Sequence, residues 1–165
     1  MRLIVKFLHA KLFLILPLTF LSINAYAKSI SVKYVIDGDT IVYRDKDSLK
    51  KVRLSCIDAP ELKQTFGLES KLVLKELISG KTVDIEVTDI DKYGREIADI
   101  TYQNQNINLR MVSSGSAWVY EAYCHDPRFY AAQKKSKLNK SGLWATDNQV
   151  APWLFRREQH GTDKQ

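Results

Sequence analysis

The sequence predicts an α+β domain of five short strands and three helices. Two observations carry that expectation. Apolar and polar residues alternate in short runs before Ile57 and again between Lys81 and Tyr102, the period of a half-buried strand. After Pro60 the spacing widens to that of a helix with one apolar face, and cap residues mark further helix ends downstream.

The strands come first. Val32, Tyr34 and Ile36 alternate with smaller or polar residues, Thr40 to Tyr43 is β-rich, and Val52 to Ile57 follows a charged turn. Asp37-Gly38 and Asp45-Lys-Asp-Ser48 supply the reversals, because Asp and Gly tolerate the backbone angles that turns require. Three antiparallel strands are expected there. Leu68, Leu72, Val73, Leu74, Leu77 and Ile78 then form the apolar stripe of a first helix, closed by Ser79-Gly80. Lys81 to Thr88 and Ile97 to Tyr102 read as a hairpin whose turn is Asp91-Lys-Tyr-Gly-Arg95. Leu109 to Ser114 is a short second helix. Asp126-Pro127 is a cap followed by proline at the first helical position of a third, which runs to about Lys140.

The start of the chain reads as a leader rather than as fold. Arg2, Lys6 and Lys11 give a positive beginning, Leu12 to Leu21 is almost wholly apolar, and Ala25-Tyr26-Ala27 has the small-x-small pattern of a signal-peptidase site. Residues 1–27 are expected to be a signal peptide cut after Ala27. A membrane anchor is the alternative, but the apolar run falls short of the roughly 18 to 20 residues that a span needs and contains Pro17. Removal leaves 138 residues, enough for one domain at 28–158 with a disordered tail at 159–165. The product is expected to be a secreted or periplasmic monomer with no stable membrane association.

Charge excludes little. The formal +6 falls to +3 once the three leader bases are gone, so basicity alone argues weakly for a polyanionic partner. Lys134, Lys135, Lys137 and Lys140 read as a solvated helix face. An oxidising compartment makes Cys56–Cys124 a natural disulfide, two buried thiols being the alternative, and two isolated cysteines without C-x-x-C spacing do not make a zinc site.

Chemistry gathers in Asp37-Gly-Asp-Thr40, Arg53-Leu-Ser-Cys-Ile-Asp-Ala-Pro-Glu61 and Asp91-Lys-Tyr-Gly-Arg95. Asp37 and Asp39 point to one face of an extended strand, and Asp58 and Glu61 flank a turn stiffened by Pro60, so oxygens suited to a hard cation can converge. An EF-hand is excluded, since Ile41 stands where the next oxygen ligand would be. Arg53 has Val52 and Leu54 facing the core on either side, and a guanidinium matches two phosphate oxygens with a planar fork of donors.

With Gly115-x-Ala-x-Val119 and Gly142-Leu-Trp144, these motifs stand in an order that resembles the staphylococcal nuclease (thermonuclease) family, from about Val32 to Trp144. The resemblance implies a five-stranded OB-type β-barrel with three α-helices. It implies Ca2+ ligated by Asp39, Asp58 and the backbone carbonyl of Ala59, Arg53 and Arg95 on the scissile phosphate, and Glu61 as general base or as the group that orients the attacking water. Lys92 and Tyr93 would flank the nucleotide, and Tyr123 offers a ring for base stacking. The expected activity is phosphodiester hydrolysis of DNA and of RNA with little sequence preference, leaving a 5′-hydroxyl. A non-catalytic nucleic-acid-binding module on the same barrel is the rival; such relatives typically lack the carboxylates and arginines that this chain retains.

Overall fold

The computed structural model describes residues 26–162. The expected leader at 1–25 and residues 163–165 of the expected tail lie outside them. In chain order the elements are β1 (Tyr26–Val35), β2 (Thr40–Asp45), β3 (Ser48–Leu54), β4 (Ile57–Asp58), α1 (Gly67–Ile78), β5 (Thr82–Ile90), β6 (Glu96–Tyr102), β7 (Gln105–Asn106), α2 (Ile107–Ser113), β8 (Trp118–Val119), α3 (Pro127–Leu138) and α4 (Pro152–Thr162).

β3, β2, β1, β5 and β6 pair in that order, and β3 returns to pair with β6, closing a barrel. All contacts are antiparallel except this parallel closing seam, where Arg53 is opposite Ile97. The β2–β3 hairpin turns between Asp45 and Ser48, where the charged turn is expected, with Lys46 at positive φ. β1 pairs with β5 from Tyr26↔Val87 onward, so the last two residues before the expected cleavage point are already in the sheet.

Alternation along the strands fills the barrel. Val32, Ile41, Val52, Leu54, Val83, Ile85, Ala98 and Ile100 are buried, while α1 contributes Leu74 and Ile78 and α2 contributes Met111 and Val112. The expected stripe on α1 is only partly a core face: Leu68 and Leu72 stay exposed, and Ser70, Leu74 and Ile78 face inward at a spacing of four. Ser70 takes a core position because its hydroxyl donates to the Ser116 carbonyl at 2.6 Å. Asn108 is buried on α2 and ties that helix to the seam. Its side-chain oxygen accepts from the Ile100 N–H, and its amide donates to the Ala98 and Ser55 carbonyls.

Two expectations are corrected. Among the described residues there are four α-helices, and α4 runs through residues 159–162, which the sequence reading assigned to a disordered tail. The reason is tertiary: Trp153 of α4 packs edge-on against Trp118 and stacks on Tyr120, so the segment is held by rings more than thirty residues away. α3 begins on the Asp126 cap and Pro127 as expected, with the Asp126 carboxylate accepting from the Arg128 N–H. Its lysines stay on the surface, and Lys137 lies over the Trp118 and Trp144 rings.

Candidate active site

The site forms where three local devices meet at one end of the barrel. The first is the turn from β1 to β2. The Asp39 N–H donates to the Asp37 carboxylate at 3.0 Å, and the Ile36 N–H donates to the Thr40 carbonyl. Gly38 is required here because a Cβ would overlap Ser70 on α1 and the Ala59 methyl. Gly38→Ala is therefore expected to lower stability by about 1–3 kcal/mol, the usual cost of overpacking, as read from urea unfolding. An unchanged transition midpoint would contradict this packing.

The second device is β4, a two-residue strand whose Asp58 is opposite Trp118 of β8. It is anchored just upstream by a disulfide between Cys56 and Cys124, with Cα atoms 4.4 Å apart. Third comes the turn after Pro60, in which the Glu61 N–H donates to the Gln64 side chain and the Gln64 N–H returns to the Glu61 carbonyl. Gly67 lies so close to that carbonyl that a Cβ would overlap it.

These devices bring carboxylates and guanidiniums into an alternating chain. Arg53 donates through Nη1 to Asp39 and through Nη2 to Asp58 at 2.7 Å. Arg156, on α4, donates to both Asp58 oxygens at 3.1 and 2.8 Å and to Glu61 Oε1 at 2.7 Å. Asp39 is 3% exposed and Asp58 is fully buried. The rest of the Asp39 carboxylate is satisfied by the Thr40 hydroxyl and the Ala59 N–H, each within 3 Å.

Charge in this cluster is unbalanced, with four carboxylates (Asp37, Asp39, Asp58, Glu61) facing two guanidiniums. Burial, followed by the charge of Asp39, pushes the Asp37 carboxyl up to about 7. Burial would lower Arg53, but Asp39 and Asp58 more than offset it and hold the guanidinium above its ordinary value. Arg156 is likewise raised by Asp58 and Glu61 against the effect of burial. A cleft of about 360 Å³ opens onto this array, lined among others by Asp37, Glu61, Lys63, Phe155 and Arg156. The donor set, all oxygen and in excess of the positive charge, fits a hard divalent cation in its chemistry. Among the described residues, however, the carboxylates are bridged by guanidiniums and no three acidic side chains close on one point.

Residues 51–146 match the family model for staphylococcal nuclease homologues. The chain is 43% identical over 126 residues to a protein named uncharacterized endonuclease from Haemophilus influenzae, covering 76% of this chain and 71% of that one. It is 41% identical over 123 residues to an uncharacterized endonuclease from Escherichia coli O157:H7, covering 74% and 80%. A probable staphylococcal-like nuclease from Oryza sativa subsp. japonica is 41% identical over 109 residues, which are 66% of this chain and 29% of that longer protein.

This chain belongs to the staphylococcal nuclease family.

The closed barrel with its surrounding helices is the OB-type architecture expected of that family. Of the residues singled out from sequence, Asp39, Arg53, Asp58, Ala59 and Glu61 are brought together. Asp37 joins them, whereas Lys92, Tyr93, Arg95 and Tyr123 make no hydrogen bond or ion pair with these carboxylates. Arg95 immediately precedes β6, two residues from Ile97, the register partner of Arg53, and its guanidinium is paired with Asp91 at 2.7 Å. Asp91 also accepts the N–H groups of Tyr93 and Arg95; burial alone would raise its pKa, but these bonds lower it. Tyr93 is 73% exposed, between Lys92 and Arg95, whose cationic groups lie 5.0 and 5.6 Å from its ring centroid. Tyr123 is 70% exposed and packs beside Tyr120, whose N–H donates to the Cys56 carbonyl. Sequence reasoning missed Arg156. The available signal was Pro152, a residue favoured at the first position of a helix, followed by the apolar run Trp153 to Phe155.

Proposed function

We propose that this staphylococcal nuclease family member is a calcium-dependent phosphodiesterase that cleaves DNA and RNA with little sequence preference, in a secreted or periplasmic setting. The observation that carries the reading is the array itself. Two buried aspartates share one arginine, and a half-exposed glutamate stands beside them at the mouth of a cleft. A family of nucleases implies a nucleic-acid substrate, and the endonuclease names of the relatives agree with it. Export is supported by the disulfide, a bond that persists in oxidising compartments. No helix among the described residues is long and apolar enough to cross a membrane.

Asp39, Asp58 and the Ala59 carbonyl would hold the calcium ion, which supplies Lewis-acid polarisation of a phosphoryl oxygen when bound. The chain's own residues do the rest. Arg53 is held by Asp39 and Asp58, which fixes its guanidinium at the site, and the N–H donors not used in those bonds meet the phosphate oxygens where charge develops. Glu61 takes the proton of the attacking water as the new P–O bond forms, and the bond to the 5′ oxygen breaks, that oxygen taking a proton from solvent to leave a 5′-hydroxyl. Arg95 approaches from the hairpin tip, exchanging Asp91 for phosphate, with Lys92 and Tyr93 beside the nucleotide and Tyr123 offering a stacking face.

Digestion of plasmid and of total RNA by the mature protein tests the reading. Both are expected to be degraded with calcium and to survive in chelator. Magnesium is expected to support little activity, because it holds a tight octahedron and releases its waters reluctantly. Equal rates with magnesium would overturn the calcium assignment, and intact substrate under every condition would leave the non-catalytic module. A second test separates geometry from charge. Arg95→Lys should lower the rate by orders of magnitude, since a lysine cannot make the two-pronged contact. Its melting temperature should barely move, because the Asp91 pair lost is a partly exposed one. A near-normal rate would reduce Arg95 to a source of field.

A further inference from the structure

Arg156 lies outside the matched family segment, which ends at residue 146, and outside every motif that carries the resemblance. It is nonetheless at the centre of the ion-pair chain. Its Nη1 reaches both Asp58 and Glu61, and among the described residues it is the one side chain that holds the Glu61 carboxylate. Arg53 touches Asp39 and Asp58 and does not extend to Glu61.

The arginine is not needed to dock its helix. Trp153 already packs on Trp118 and Tyr120, Ala151 and Pro152 are buried, and the Gln64 amide donates to the Val150 carbonyl just ahead of the helix. One helical turn separates Trp153 from Arg156, so both lie on the same face. Trp118, the anchor for Trp153, is also the register partner of Asp58. Docking of the ring on one side of this short ladder therefore fixes where the guanidinium arrives on the other. The Arg156 side chain keeps 36% of its exposure and borders the cleft with Glu61.

We propose that Arg156 is a positioning residue for Glu61, delivered by α4. A glutamate with 38% of its side chain exposed has several rotamers available, and a base is useful only when its oxygen points at the water. Clamping Oε1 against Asp58 through one planar guanidinium selects one of those rotamers and leaves Oε2 to take the proton. This inference rests on the reading of Glu61 as the base of a phosphodiesterase.

The test compares the mature parent protein with Arg156→Ala and Arg156→Lys on a short single-stranded DNA in calcium. Arg156→Ala should lose roughly 10- to 100-fold in kcat, the scale of a misplaced catalytic group, with KM within a few-fold of the parent. Arg156→Lys should recover little, because an ammonium lacks the planar fork that meets both Asp58 oxygens and Glu61 at once. Added ethylguanidinium should restore turnover to Arg156→Ala and leave the parent unchanged. Affinity for the same oligonucleotide in chelator, read by fluorescence anisotropy, should be equal for parent and variants. If Arg156→Ala does not fold, Arg156→Gln takes its place. A variant kcat within two-fold of an active parent, a loss confined to KM, or a loss that ethylguanidinium does not relieve would overturn the positioning role alone. A parent that cuts no nucleic acid would overturn the phosphodiesterase reading, and this inference with it.

Discussion

Glu61→Gln is expected to lose about 10² to 10⁴ in turnover, the range that a general base contributes, while binding an oligonucleotide as well as the parent does. The amide matches the carboxylate in size and can still accept one hydrogen bond from Arg156, so the cleft should keep its shape. What it cannot do is accept a proton from water. Single-turnover cleavage in calcium measures the loss directly, and a rate within a few-fold of the parent would rule out the assigned role. The variant also removes one negative charge from a cluster in which carboxylates outnumber guanidiniums. Metal affinity should therefore be measured alongside the rate, so that weaker ion binding is not mistaken for lost base catalysis.

The second large effect concerns stability. Cys56 and Cys124 are 68 residues apart in sequence, and opening that loop by a double Cys→Ser replacement is expected to cost about 3–5 kcal/mol in the chain-entropy account. Guanidinium unfolding of parent and double variant under oxidising conditions would measure it, and coincident curves would contradict it. The consequence should reach the site. Cys56 sits at a positive φ that non-glycine residues seldom adopt, two residues before Asp58, and its carbonyl accepts from Tyr120 on the strand side of α3. Without the bond this corner keeps the two-residue pairing of β4 with β8, that hydrogen bond and the ion pairs of Asp58, but loses its covalent tie to the Cys124 segment. Activity should then fall at temperatures well below global unfolding.

Much of this was legible in the chain because the signals are local. The Asp45–Ser48 hairpin, the Asp126-Pro127 helix start and the alternation in β5 and β6 each depend on a few neighbouring residues, and each stands where the pattern predicts it. The order of the motifs was enough to indicate the family. It also singled out Asp39, Arg53, Asp58, Ala59 and Glu61, which the fold gathers at one end of the barrel. The apolar count on α1 was less informative. Leu68 and Leu72 satisfy a helical stripe and remain exposed, because the helix rests on the barrel along the Ser70, Leu74 and Ile78 line.

The sequence by itself determined the five strands of the barrel, the first three helices, the likeness to a nuclease family and the residue types able to meet a phosphate and a hard cation, but not the short β4, β7 and β8. The Cys56–Cys124 bond expected from sequence is present, whereas tertiary structure alone decided that Arg95 rests on Asp91 and that a fourth helix places Arg156 on Asp58 and Glu61. Those last partners are 98 and 95 residues apart, and no turn residue or apolar period encodes a contact over that distance. It depends on whether burying Trp153 against Trp118 and Tyr120 repays the ordering of a short helix, and that balance exists only once the barrel has brought β4 and β8 together.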